Sequence, residues 1–243
     1  MIPLATNQLL PYPVLPEQPN RLVQAWWNRY CPYALRKHFH ALRAYGHWLP
    51  PAPNSPPPPT LYLANHLSFW DGIAINYALL FDRHHTTFRV MVDEEQVRAH
   101  PFFRRIGAFS VDRKSPRDAL RACAHAASLL NSGHPVLLFP QGSIRPLHEP
   151  LHLERGFTYI LDRAPTASVV ILTLAYEFWE DQRPELLLHA SPPLPGQSTG
   201  LNDTRARFAE GLEALRSASL TRNPGRVVLH GRRGIQSIRF PGT

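Results

Sequence analysis

The sequence has few cysteines, few acidic residues and no long apolar run, and two of these shortages exclude whole classes of protein. Its 243 residues include two cysteines, Cys31 and Cys123, without a Cys-x-x-Cys spacing, which excludes a disulfide scaffold and a cysteine-rich zinc fold. No run approaches the roughly 18 apolar residues of a membrane-spanning helix. The first residues lack the basic and apolar pattern of a secretory signal peptide. We therefore expect an intracellular or peripheral protein.

Acidic residues are outnumbered, with 18 Asp and Glu against 26 Lys and Arg, which gives a net charge of +8. A hydrophobic content of 44% is enough for a sizeable core and excludes a disordered chain. A basic surface favours an anionic partner: a membrane face, a phosphorylated small molecule or nucleic acid. Because the basic residues are dispersed and no nucleic-acid-binding motif accompanies them, we expect no nucleic-acid partner.

Proline is abundant, with 26 residues, half of which cluster in segments 11–19, 51–59 and 192–195. Residues 51–60, which include four consecutive prolines, predict a stiff linker. This linker separates an N-terminal segment, residues 1–50, from a second predicted domain, residues 61–220. Residues 221–243 form a basic tail, because the stretch from Arg222 carries five arginines and no acidic residue.

The N-terminal segment is rich in aromatic and basic residues, and its pattern predicts two amphipathic helices. The first covers residues 20–30, and the second starts at Pro32 and ends near Gly46. In the second, apolar side chains recur at spacings of four and three and so share one face. Such a helical pair suits a bilayer interface, where it would dock the protein on a membrane. The alternative is that both helices pack on the domain and expose their basic side to water.

Beyond the linker, short apolar strands alternate with helical segments. The clearest helix is 115–131, with Ser115 as its N-cap and Gly133 after its end. Such alternation predicts an α/β fold with a largely parallel central sheet flanked by helices. The complete prediction is this α/β domain preceded by the N-terminal amphipathic helical pair.

The first motif that carries chemistry is Asn-His-Leu-Ser-Phe-Trp-Asp at residues 65–71, where a strand ends and a helix begins. Histidine is the side-chain type whose unperturbed pKa suits proton transfer near neutral pH, and His66 is the only histidine of this motif. A carboxylate on its far nitrogen would fix the tautomer, and a loop turning back would bring Asp71 to it. The alternative is structural, since Ser68-x-x-Asp71 also matches a capping box.

Two further motifs each place an arginine just beyond a strand. They are Gly-Ala-Phe-Ser-Val-Asp-Arg at residues 107–113 and Phe-Pro-Gln-Gly-Ser-Ile-Arg at residues 139–145. Open α/β sheets bind ligands at such strand ends, and Arg113 and Arg145 could each grip a phosphate. Gly142 would let the backbone approach a ligand closely. The structural alternatives are an ordinary Asp112–Arg113 ion pair and an ordinary turn at 140–142.

Together, the three motifs resemble those of the glycerophospholipid acyltransferases, which include the 1-acylglycerol-3-phosphate acyltransferases. That family is marked by Asn-His-x-x-x-x-Asp, Gly-x-x-Phe-x-x-Arg and Phe-Pro-Glu-Gly-Thr-x-Arg, and the similarity covers residues 60–195. The resemblance implies transfer of an acyl group from a thioester to a lipid hydroxyl, with His66 as general base oriented by Asp71. It implies substrate-binding roles for a further set of residues: Asn65, Arg113, Gln141, Gly142, Ser143 and Arg145.

The sequence departs from the family pattern at two places. Gln141 stands where the family has Glu, and the strand at 168–174 lacks the proline of the usual fourth motif. Glutamine keeps an acceptor oxygen but loses the charge, and so cannot pair with arginine. A glycolipid or another non-phosphate polar lipid is therefore an alternative acceptor to a lysophospholipid. A non-catalytic membrane-surface binding protein is the alternative from another functional class.

The resemblance also implies the partners. The donor would be acyl-CoA or acyl carrier protein as co-substrate, the acceptor a lipid, and neither a cofactor nor a metal ion would be needed. The expected location is the cytoplasmic face of the cell membrane, with peripheral attachment.

Overall fold

The computed structural model describes residues 15–48, 59–83 and 88–232. Most of the predicted proline-rich linker, residues 51–58, and the end of the predicted tail, residues 233–243, lie outside the described residues.

One mixed β-sheet organises the fold. Its strands are β1 (Ala41–Gly46), β2 (Thr60–Ala64), β3 (Arg89–Asp93), β4 (Ala108–Val111), β5 (Val136–Leu138), β6 (Ser168–Glu177), β7 (Glu185–Ala190), β8 (Leu194–Pro195) and β9 (Arg226–His230). The strand order is β4-β3-β5-β2-β6-β7-β1-β9, and the short β8 pairs with β6. Strands β4, β3, β5, β2 and β6 are mutually parallel, whereas β7 is antiparallel to β6. The α/β class with a largely parallel sheet is thereby confirmed.

Helices cover both faces of the sheet, so its central strands are buried on both sides. The helices are α1 (Arg21–His38), α2 (Trp70–Arg83), α3 (Glu94–Ala99), α4 (Phe102–Ile106), α5 (Pro116–Asn131), α6 (Gly156–Arg163) and α7 (Leu201–Leu220). In β2, Tyr62 packs in the core shared with α1 and α2, whereas Leu61 and Leu63 pack in the core shared with α5 and α6. All three side chains are fully buried.

The predicted pair of N-terminal helices is wrong. A single helix, α1, runs through Pro32, and residues 41–46 form β1. Pro32 removes one helical hydrogen bond, but burial of Cys31, Ala34 and Leu35 holds the helix on both sides of it. Strand β1 was mistaken for a helix because it lies between β7 and β9 and is buried on both faces. A strand of that kind shows no alternation of apolar and polar residues.

The predicted domain boundaries need the same correction. Strand β1 pairs in parallel with β7, and so residues 21–46 are part of the sheet domain. At the other end, β9 pairs antiparallel with β1, which places residues 226–230 of the predicted tail inside the sheet. The described part of the chain is therefore one α/β unit, without a separate N-terminal domain.

The carboxyl ends of β2, β4 and β5 reach one edge of the sheet, because parallel strands point the same way. The first and third motifs, residues 65–71 and 139–145, directly follow β2 and β5, and Arg113 of the second motif lies just beyond β4. We call this the motif edge. The topology thus gathers three distant stretches of sequence at one location, as open α/β sheets do for their ligands.

Candidate active site

The loop between β2 and α2 joins His66 to Asp71. Nδ1 of His66 lies 2.8 Å from Oδ2 of Asp71, whose side chain is completely buried. The same oxygen accepts the backbone N–H groups of Leu67 at 2.6 Å and Ser68 at 2.8 Å. Hydrogen bonds from backbone amides stabilise the charged form of a carboxylate. Asp71 therefore serves the local turn and the histidine at once, which reconciles the capping interpretation with the catalytic one.

The other oxygen of Asp71 receives a hydrogen bond from a residue that the sequence analysis missed. The hydroxyl of Tyr176, in β6, donates to Oδ1 of Asp71. The Ser68 hydroxyl donates to the Tyr176 oxygen at 2.9 Å and accepts from the Trp70 amide at 3.0 Å. Burial, together with the neighbouring Asp71 charge, raises the pKa of Tyr176 far above its ordinary range. The phenol therefore stays protonated and remains a donor.

The third motif holds the backbone of His66 from both sides. Its N–H donates to Oε1 of Gln141 at 2.7 Å, and its carbonyl accepts from the amide of Arg145 at 2.9 Å. The ring of Phe139 stacks on the imidazole, with 4.2 Å between ring centroids and an interplanar angle of 22°. The imidazole keeps 23% of its side-chain surface exposed. His66 is thus fixed in orientation while one side of it stays open to a substrate.

Asn65 lies under the site rather than in its opening. Its side-chain amide donates to the carbonyl of Leu174 at 3.0 Å, and its oxygen accepts the Leu174 amide at 2.7 Å. The residue is buried, and both polar groups of its side chain are engaged with β6. In this arrangement Asn65 fastens the end of β2 to β6.

Arg113 and Gly142 bring the second motif against the third. Gly142 has φ of 68°, in the left-handed region, and a Cβ added there would lie 3.0 Å from Nη1 of Arg113. Nε of Arg113 contacts Oδ2 of Asp93 at 3.2 Å, so its acidic partner is Asp93 rather than Asp112. Since half of the Arg113 side chain is exposed, this ion pair is weak and can give way to an anionic ligand.

Arg145 and Ser143 lie in the loop that holds His66. Nη1 of Arg145 reaches Oε2 of Glu149 at 3.3 Å, while its buried Nε finds no partner among the described residues. Ser143 is partly exposed in the same loop. The motif edge therefore combines a histidine–aspartate pair with two cationic side chains.

The family described as Acyltransferase matches residues 52–177, which include His66, Asp71, Arg113, Arg145 and Tyr176. The chain belongs to the Acyltransferase family. It is an O-acyltransferase.

Seven chains of solved structures are similar to this acyltransferase. One of them is the 1-acyl-sn-glycerophosphate (LPA) acyltransferase PlsC from Thermotoga maritima, with a TM-score of 0.59 and 17% sequence identity over 81% of each chain. At this identity the similarity establishes the shared fold. No curated protein matches the chain.

The two cysteines of the acyltransferase are poor nucleophiles. Burial raises the pKa of the Cys31 thiol to about 12 and that of Cys123 to about 11. A thiol attacks as the thiolate, which neither residue forms near neutral pH. Within the described ranges, no group of three His, Cys, Asp or Glu side chains is arranged to hold a metal ion.

The surface of the acyltransferase carries exposed apolar side chains on α1 and around the motif edge. On α1, Leu22, Trp26 and Tyr33 are 82%, 55% and 49% exposed. Beside His66, Phe69 is 64% and Ile144 is 55% exposed. Among the described residues, no helix combines the length and the apolar character that a membrane crossing needs.

Proposed function

We propose that this enzyme moves a fatty acyl group from a thioester, acyl-CoA or acyl carrier protein, to a hydroxyl of a lysophospholipid such as 1-acylglycerol-3-phosphate. The observation that carries the proposal is the His66–Asp71 pair, 2.8 Å apart, at the sheet edge that also presents Arg113 and Arg145. The pair supplies a base, and the arginines supply positive charge for a phosphate.

In the proposed mechanism the hydrogen on Nδ1 of His66 is donated to Asp71, which leaves the Nε2 lone pair free. Nε2 removes the proton of the acceptor hydroxyl as that oxygen attacks the thioester carbonyl carbon. The tetrahedral intermediate collapses, the C–S bond breaks, and the imidazolium returns the proton to the departing thiolate. The products are an ester and a free thiol. Asp71 offsets the charge that His66 carries between the two proton transfers.

The acceptor is the open part of the proposal, because Gln141 replaces the family glutamate. Its Oε1 is committed to the backbone of His66, so Gln141 supports the base directly. Because glutamine carries no negative charge, residue 141 does not compete with a phosphate for Arg113 and Arg145. The glycolipid acceptor, which glutamine can bind through hydroxyl groups, is the alternative that the assay must separate.

The assay is release of free thiol from long-chain acyl-CoA, with lysophosphatidate or a lysoglycolipid offered as acceptor. We expect release that depends on the acceptor and falls by about 10²- to 10⁴-fold in His66→Ala. Release with acyl carrier protein alone would identify the donor. If neither donor gives more release than His66→Ala, the non-catalytic membrane-binding alternative is favoured and this proposal fails.

We also propose peripheral attachment to the cytoplasmic face of the cell membrane through α1. Leu22, Trp26 and Tyr33 lie on the exposed side of the helix, and Arg29 and Arg36 are exposed near them. Apolar and aromatic side chains beside basic ones suit an anionic bilayer surface.

Point variants test attachment better than truncation, because deleting residues 1–50 would remove β1 from the sheet. We expect Leu22→Ser combined with Trp26→Ser to reduce flotation with vesicles that contain anionic lipid. Leu120→Ser is the matched control, since Leu120 is 49% exposed on α5, a helix that packs in the other core of the sheet. Equal flotation of the double variant and the control would refute docking through α1.

A further inference from the structure

The carboxylate of Asp71 is held by four hydrogen bonds that are shared unequally between its two oxygens. Oδ2 accepts from His66 Nδ1 and from the amides of Leu67 and Ser68. Oδ1 accepts from the Tyr176 hydroxyl alone among the described residues. Because Asp71 is completely buried, water does not replace that donor if it is lost.

We propose that Tyr176 is a positioning residue that sets the pH range in which His66 acts as base, by stabilising the charged form of Asp71. The inference rests on the proposed function. A hydrogen bond to a carboxylate favours its charged form, and losing that bond favours the bound proton. Nδ1 of His66 is hydrogen-bonded to Asp71 at 2.8 Å, so a change in the charge of the carboxylate acts directly on the imidazole.

The direction of the Tyr176 hydroxyl is fixed by its neighbours. Ser68 donates to the phenol oxygen at 2.9 Å, which leaves the phenol hydrogen for Asp71. The result is an ordered chain from Ser68 through Tyr176 and Asp71 to His66. Since the pKa of Tyr176 is raised by burial and by Asp71, the phenol keeps its hydrogen over the working pH range.

A purely structural role is the competing explanation, because Tyr176 also links β6 to the loop after β2. The ring packs beside Phe39, with 5.8 Å between centroids, and Phe39 packs edge-on against Trp70 at 5.3 Å. Tyr176→Phe keeps this packing and removes the hydroxyl alone. A structural link affects stability, whereas the proposed role also shifts the pH dependence.

The experiment measures kcat and KM for thiol release against pH in the wild type, in Tyr176→Phe and in the control Tyr45→Phe. The hydroxyl of Tyr45 donates to the Asn223 carbonyl at 2.8 Å in a part of the sheet outside the site, so the control also loses one tyrosine hydrogen bond. In Tyr176→Phe we expect the acidic limb of kcat/KM to move up by about one pH unit. We expect kcat at neutral pH to fall by about tenfold with little change in KM. In Tyr45→Phe the acidic limb of kcat/KM should stay at its wild-type pH.

Two further measurements keep the outcomes distinguishable. NMR titration of the His66 ring, assigned from the signal lost in His66→Ala, reports the shift even without turnover. Ser68→Ala, which releases the orientation of the phenol, should move the same midpoint in the same direction by less, and it replaces Tyr176→Phe if that variant fails to fold. An unchanged limb and midpoint in a folded variant would overturn the proposal for Tyr176. A wild type without acyl transfer would instead overturn the proposed function.

Discussion

Replacing Asp71 with asparagine removes the negative charge beside His66 while preserving the shape of the side chain. Three N–H donors converge on Oδ2, and one hydroxyl reaches Oδ1. The amide oxygen therefore takes the Oδ2 position, and the NH2 group faces the Tyr176 hydroxyl, which can rotate to accept. His66 keeps its tautomer in Asp71→Asn, so the variant isolates the contribution of charge.

The size of the loss follows from the distance. Two full charges 2.8 Å apart attract by about 6 kcal/mol at an effective dielectric constant of about 20. With the proton about half transferred in the transition state, about 3 kcal/mol of that attraction is lost, or roughly 10²-fold in kcat. Asp71→Ala should lose more, because it also removes the acceptor that holds the Nδ1 hydrogen and takes the side-chain acceptor from the amides of Leu67 and Ser68.

The assay is kcat for thiol release at saturating acceptor, with urea unfolding to confirm that each variant is folded. We expect the order wild type, then Asp71→Asn, then Asp71→Ala, with the second step at least as large as tenfold. Asp71→Asn with more than a third of the wild-type kcat would show that the charge does not assist proton transfer. Equal losses in both variants would refute the argument that the amide oxygen keeps His66 oriented.

Three other predictions follow from the structure. Gly142→Ala places a side chain at φ of 68° and 3.0 Å from Arg113 Nη1, so we expect a stability loss of about 1–2 kcal/mol and a larger KM for the acceptor. Urea unfolding and acceptor titration measure both, and an unchanged KM would argue against a role of Arg113 in acceptor binding. Burial lowers the pKa of His189, so the unfolded chain binds a proton first as pH falls below about 6.5, and stability decreases from there. The urea unfolding midpoint of the wild type should therefore decrease between pH 7 and 5.5, and this decrease should be smaller in His189→Asn. An equal decrease in both proteins would contradict the assignment of this pH dependence to His189. Because burial raises the pKa of Cys31 to about 12 and that of Cys123 to about 11, iodoacetamide at neutral pH should leave the activity intact, whereas rapid inactivation would show an accessible thiolate.

Much of the fold could be predicted from local sequence signals, and the errors have a physical cause. Helix α5 was placed correctly because Ser115 caps it and its apolar positions follow the helical period. Strand β1 was missed because Leu42 and Tyr45 extend the spacing of the preceding helix, while burial on both faces removes the strand signal. Pro32, taken as the start of a helix, lies within α1.

Part of the candidate site could likewise be predicted from the sequence, and part of it could not. The three motifs adjoin β2, β4 and β5, which are parallel strands of one sheet, so the prediction of a parallel sheet was sufficient to bring Arg113 and Arg145 to the edge that carries His66. Tyr176 could not be found from local pattern, because it lies 105 residues from Asp71 and has no motif around it. The role of Gln141 on the His66 backbone was missed because the sequence contains no information on which oxygen meets which amide.

The position of β1 in the sheet has a consequence for how the chain is made. Ala41 pairs with Glu185 in one neighbouring strand and with His230 in the other, so both partners emerge from the ribosome long after it does. At about 5–20 residues per second, the 144 residues from Leu42 to Glu185 take roughly 7–29 s to synthesise. During that time the nascent β1 exposes apolar side chains and two unpaired strand edges. Strand β1 can therefore take its place between β7 and β9 only after residues 185–230 have been synthesised, which makes this pairing a late step in the folding of a new chain.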